Sequence, residues 1–125
     1  MKAVFINVAE KMVTTIEIAN KLHAFYEKIR CRAIETVNLG MNQILIVDEE
    51  GRLKKEVSGF FKFKNNSLII AGNALIVSSD SDGDFTDAGV STEKVSGMIE
   101  FLDLKPEDLP PPRFIMISID NRSGK

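Results

Sequence analysis

The sequence predicts an α+β fold: an antiparallel or mixed β-sheet with two helices packed on it, followed by a proline-linked strand at the C-terminal end. Three observations predict it. Short runs rich in Val, Ile and Thr recur between positions 3 and 78 and are bounded by Gly, Asn and Asp. Two segments instead place apolar residues at i, i+3, i+4 and i+7, the period of a helix with one apolar stripe. A rigid Pro110-Pro111-Pro112 segment then precedes a last strand-like run.

In the first run, Val4, Ile6 and Val8 alternate with Ala3, Phe5 and Asn7. Both faces are mostly apolar, which predicts a strand inside a sheet. After Ala9-Glu10-Lys11, the segment from Val13 to Ile18 alternates like a strand with one wet face, so the two form a hairpin. Asn20 is a candidate N-cap for a helix whose Leu22, Phe25, Tyr26 and Ile29 form the stripe that lies on the sheet. Ala33 to Leu39 and Gln43 to Asp48 read as a second hairpin around Gly40-Met41-Asn42, closed by the turn signal Glu49-Glu50-Gly51.

Residues 52–67 carry the breakers Ser58-Gly59 and Asn65-Asn66 and read as a loop with a short strand. Leu68 to Ala71 and Ala74 to Ser78 are aliphatic strands around Gly72-Asn73, either a tight turn or a bulge within one long strand. Ser79 to Asp84 is a polar loop. Ser91 is the candidate cap of a second helix with Val95, Met98, Ile99 and Leu102 as its stripe. The order β-β-α-β-β-β-α fits a sheet with helices packed on it. Residues 1–102 make the core domain, and residues 103–125 make a proline-rich spacer and an additional strand.

The chain has 125 residues, 44% hydrophobic and 27% charged, which is the size and balance of one folded domain. The net charge of -2 gives no overall field for nucleic acid or an anionic membrane. Its distribution is bipolar, +3 over residues 1–64 and -5 over residues 65–125. Cys31 is the single cysteine, so no intramolecular disulfide forms, and a reducing cytoplasm is the expected location. The apolar run from Ala3 to Val8 is too short for a secretion signal or a membrane span.

The opening Met1-Lys2-Ala3-Val4-Phe5-Ile6-Asn7, the strand Thr15-Ile16-Glu17-Ile18, and the run Ala71 to Val77 followed by Gly83-Asp84-Phe85-Thr86-Asp87 carry a resemblance. Over roughly residues 1–102 the chain resembles an uncharacterised family of short proteins carried by bacteriophages, plasmids and other mobile elements. The resemblance implies a mobile-element accessory protein acting on a host component, and it names no catalytic residue. The proline-rich spacer, the final strand and the Phe60-Phe61-Lys62-Phe63 insertion depart from the family pattern.

The residues that carry chemistry are few. His23 sits beside the first helical stripe with Glu27 one turn on, and without a nucleophile or metal partner nearby it reads as a surface histidine. Arg30 and Arg32 flank Cys31, which lowers a thiol pKa where the thiol is exposed, but a cysteine at a helix end with no base partner reads as structural. Asp80, Asp82, Asp84 and Asp87 have the alternation that brings carboxylates onto one hard cation. The calcium-loop pattern is broken, because Gly83 precedes Asp84 and Ser91 stands where a glutamate belongs, and a solvated acidic turn is the plainer reading.

Phe60, Phe61 and Phe63 alternate with Lys62 and Lys64, after Arg52, Lys54 and Lys55. Cations interleaved with rings are the composition of a single-strand stacking platform, whereas core packing of the phenylalanines is the competing reading. Phe114, Ile115, Ile117 and Ile119 are the candidate interaction residues, because a strand apolar on both faces must pair with an edge of its own chain or of a second copy in a homodimer. No Walker loop, dinucleotide-binding glycine pattern, zinc-ligand pairs or serine-hydrolase elbow occurs. The expectation is a non-enzymatic accessory protein that needs no cofactor and binds a host or phage macromolecule, with a protein as the leading partner and no membrane. Single-stranded nucleic-acid binding is the alternative, and a small metal protein using the acidic loop is the third reading.

Overall fold

The structure is a computed structural model and describes residues 1–54, 57–66 and 68–105. Nine strands and two helices lie among the described residues. The strands are β1 (Lys2–Asn7), β2 (Met12–Glu17), β3 (Ile34–Gly40), β4 (Gln43–Asp48), β5 (Phe60–Phe63), β6 (Ile69–Ala71), β7 (Ala74–Ser79), β8 (Phe85–Thr86) and β9 (Ile99–Leu102). The helices are α1 (Leu22–Ile29) and α2 (Thr92–Met98), and a 3-10 turn spans Gly51–Leu53. The fold is α+β, and every strand pairing in it is antiparallel.

A six-stranded sheet runs β2-β1-β7-β4-β3, with β8 also paired to β7; a three-stranded sheet runs β6-β5-β9. The pleat of the large sheet sends alternate side chains to opposite faces. Ala3 and Phe5 of β1, Ile46 of β4, and Leu75 and Val77 of β7 pack with Phe25 and Ile29 of α1. Val4, Ile6, Leu45, Val47, Ala74 and Ile76 face the other way, onto Phe61 and Phe63 of the small sheet and onto Val95 and Ile99. The large sheet is thus sandwiched, and its central strands are apolar on both faces for that reason. Each fully buried Leu, Ile or Phe contributes roughly 1.5–3 kcal/mol of transfer free energy.

The two hairpins expected from the sequence form. Met41 and Asn42 at the β3–β4 turn have φ 53° and 63°, the mirror-image turn that matches strand twist. Gly72-Asn73 is neither a hairpin turn nor a bulge. β6 and β7 lie in different sheets, and the chain crosses between them with Gly72 at φ 89°, which only glycine adopts freely.

Three local expectations are corrected. Asn20 does not cap α1: the cap position is Lys21, and the Asn20 amide donates instead to the Phe85 carbonyl at 2.9 Å. Only half of the first stripe lies on the sheet, because Phe25 and Ile29 are buried while Leu22 is 55% exposed. Ser91 does cap α2, accepting from the Lys94 N–H at 3.1 Å, but the helix ends at Met98. Ile99 and Leu102 belong to β9, where pairing with β5 replaces another turn of helix. The predicted strand with Phe114, Ile115, Ile117 and Ile119 lies outside the described residues.

Candidate functional site

At one end of the large sheet the last turn of α1, the end of β4 and the 3-10 turn come together. α1 stops because Arg30 adopts the left-handed conformation, φ 66°, and the N–H groups of Arg30 and Cys31 both donate to the Tyr26 carbonyl, at 2.8 and 3.0 Å. Glycine is the usual residue there; an arginine at this position carries backbone strain and holds a cation at the helix end.

Among the described residues Asp48 alone is both charged and buried. Its Oδ1 accepts from the Glu50 N–H at 2.9 Å, and its Oδ2 is met by the Lys54 ammonium. Lys54 Nζ also donates to the Arg30 carbonyl at 3.4 Å. Above this staple Arg32 forks onto Glu50 with two bonds of 2.9 and 3.0 Å. That fork holds the Glu50 carboxyl below its ordinary value, chiefly through the hydrogen bond from Arg32.

Two depressions flank the staple and share Glu27, Arg30 and Lys54 in their walls. The outer one, about 680 Å³, sets Tyr26 and Leu53 among Arg30, Arg32 and Glu50. The inner one, about 520 Å³, runs over Phe5, Lys28 and Asp48 toward Ser58 and Asn73. Lys28 Nζ stands 4.6 Å from the centre of the Phe5 ring. Leu53 is 72% exposed, an apolar side chain held out by a turn whose Gly51 packs too tightly on Ala71 to admit a Cβ, 2.7 Å from the Ala71 carbonyl oxygen.

His23 and Cys31 also line the outer depression. His23 Nε2 is 3.3 Å from Glu27 Oε2, with both side chains exposed. The Cys31 thiol is pushed up, first by burial and next by the Asp48 carboxylate, in keeping with a partly buried structural cysteine rather than an activated one.

The basic and aromatic residues of 52–64 are dispersed. Arg52 Nη1 donates to the Ile69 carbonyl at 3.2 Å, Lys54 belongs to the staple, and Lys62 is 3.7 Å from Glu100 across the β5–β9 ladder. Lys64 is exposed and Lys55 lies outside the described residues. The rings of Phe60, Phe61 and Phe63 are core, at 2%, 0% and 1% exposure, so none presents a stacking face. In the acidic loop Asp80 Oδ1 accepts from the N–H groups of Asp82 and Asp84 at 2.9 and 3.0 Å, and Asp87 Oδ1 accepts from Lys2 N–H at 2.8 Å. Among the described residues no three carboxylate, imidazole or thiol groups are placed to hold one metal ion.

Sequence reasoning gave Tyr26, Asp48 and Glu50 structural places only and passed over Leu53. The available signal was Leu53 itself, a lone large apolar residue in the charged run from Asp48 to Glu56.

The family described as a domain of unknown function, DUF3846, matches residues 1–103. The chain belongs to this family. All the described strands and helices of this DUF3846 domain fall within the match. No curated protein and no solved structure matches the chain. No helix among the described residues is long and apolar enough to cross a membrane.

Proposed function

We propose that this DUF3846 domain is a non-enzymatic accessory protein of a mobile element that binds a host or phage protein through the groove at the end of α1, in host takeover or anti-defence. One observation carries the reading: Leu53, 72% exposed, stands with Tyr26 in a depression edged by Arg30 and Arg32, over a floor fixed by Asp48 and Lys54. An apolar and aromatic centre with arginines around it on a rigid base is the composition of an interface hot spot. The mobile-element setting follows from the family resemblance of the N-terminal strands and the Ala71 to Asp87 region.

Affinity capture from a bacterial host lysate, with wild type and Tyr26→Ala in parallel, tests the proposal. A protein retained by wild type and lost with Tyr26→Ala supports it. Retention of nuclease-sensitive material alone supports the single-strand reading, which rests on Arg52, Lys54, Lys62 and Lys64. A rise in melting temperature with millimolar calcium, abolished by Asp82→Asn, supports the metal reading.

A further inference from the structure

We propose that the inner depression beside the end of α1 is a binding site for a phosphate ester. The large sheet builds its floor. Ile6 of β1 and Val47 of β4 both pair with Ala74 of β7, so one step further out Asn7, Asn73 and Asp48 stand side by side across three neighbouring strands. By the alternation of the pleat they share the face of Phe5, Leu75 and Ile46, the face that carries α1. An apolar row gives way to a polar row where the helix ends.

That row presents hydrogen-bond donors. Asn7 Oδ1 accepts from the Glu10 N–H at 3.1 Å and Asn73 Oδ1 from the Val8 N–H at 2.9 Å, which orients both amides and leaves their NH2 groups to donate. Among the described residues nothing accepts from either NH2 group, from the Ser58 hydroxyl or from the Arg30 guanidinium, and all four residues line the depression. Lys28 adds an ammonium held 4.6 Å from the centre of the Phe5 ring, and Phe5 is two residues from Asn7 on the same face. The carboxylates of the wall are differently placed. Asp48 is engaged by the Glu50 N–H and by Lys54, Glu27 Oε2 lies 3.3 Å from His23, and Glu10 is exposed. Free donors beside engaged acceptors call for a ligand rich in acceptors.

A phosphate meets that requirement. The formal charges of Lys28, Arg30 and Lys54 balance those of Glu10, Glu27 and Asp48, so the group is held by directed hydrogen bonds rather than by a net field. A phosphate turns oxygens both to the amides of the sheet and to the helix end, where a guanidinium takes two of them at once. The depression, about 520 Å³, has the size of a small-ligand pocket and is larger than a bare phosphate fills, which leaves room for the organic part of an ester.

Nuclear magnetic resonance on the full chain tests the proposal, because each asparagine NH2 group gives its own signals. The probes are adenosine monophosphate, inorganic phosphate and adenosine. Adenosine monophosphate at about 1 mM should shift the NH2 signals of Asn7 and Asn73 saturably and leave those of Asn42, at the β3–β4 turn, in place. Inorganic phosphate should shift the same two groups more weakly, and adenosine should shift neither. Asn73→Asp keeps the oxygen that bonds the Val8 N–H and replaces the donor by a carboxylate oxygen, so it should weaken binding at least about tenfold at an unchanged melting temperature. Asn7→Asp keeps the bond to the Glu10 N–H in the same way and is the second variant. Neither residue lines the outer groove, so failure here leaves the partner reading standing. No shift at Asn7 and Asn73 with either phosphate probe, equal binding of adenosine, inorganic phosphate as tight as the ester, or binding indifferent to both variants would each overturn the proposal.

Discussion

The ammonium of Lys54 lies between the buried carboxylate of Asp48 and the carbonyl of Arg30, so one side chain ties the end of β4 to the last turn of α1. Removing it leaves Asp48, among the described residues, with the bond from the Glu50 N–H. Lys54→Met should therefore lower stability by about 2 kcal/mol, less than for a fully buried pair because Lys54 is partly exposed. In an Asp48→Asn background the same substitution should be much milder. Urea unfolding of the four proteins measures the difference; equal losses in both backgrounds would mean the two residues are not coupled.

Arg30 occupies a left-handed position where glycine is favoured. Arg30→Gly should raise stability by about 1 kcal/mol, seen as a higher melting temperature, because the strain of φ 66° disappears. The same change should weaken the partner, since a groove cation is lost. A variant both less stable and equally tight in binding would show that Arg30 serves the helix end rather than the groove.

Acid should loosen the Arg32–Glu50 fork. The folded Glu50 carboxyl lies below its ordinary value because Arg32 hydrogen-bonds it, so its contribution is present above the unfolded carboxylate pKa and is lost as pH falls through the folded one. Glu50→Gln should flatten the acid limb of the stability profile by lowering neutral stability slightly, while leaving stability below the folded carboxyl pKa almost unchanged. An acid limb identical to wild type would show that other carboxylates govern it.

Phe60 separates the core from the platform reading of residues 52–64. At 2% exposure it should behave as a core residue, and Phe60→Ala should lower stability by about 3 kcal/mol or more. A loss below about 0.5 kcal/mol, normal for a surface ring, would contradict that placement.

The large sheet was legible because its strands obey local rules: the two-faced apolar pattern of β1 and the Met41-Asn42 turn each describe their own neighbourhood. The small sheet was not, because its pairings join residues far apart. Ile99 and Leu102 continue the helical period from Val95, and only the ladder to Phe63 and Phe60 makes them strand. The break at Gly72-Asn73 was visible, but nothing local says that the chain there changes sheets. The groove was illegible for the same reason, since Tyr26, Asp48 and Leu53 come from three separate elements.

The most direct test compares two exposed apolar residues at opposite ends of β4. Leu53 stands at the groove beyond Asp48, and Met41, 89% exposed, stands at the hairpin turn about 20 Å away along the strand. Binding of the captured partner should be measured by titration with wild type, Leu53→Asp and Met41→Asp, each first shown to keep its melting temperature. Leu53→Asp should weaken binding at least about tenfold and Met41→Asp should leave it unchanged. Binding that survives Leu53→Asp, or that falls with Met41→Asp instead, would contradict the assignment of the groove as the interaction surface.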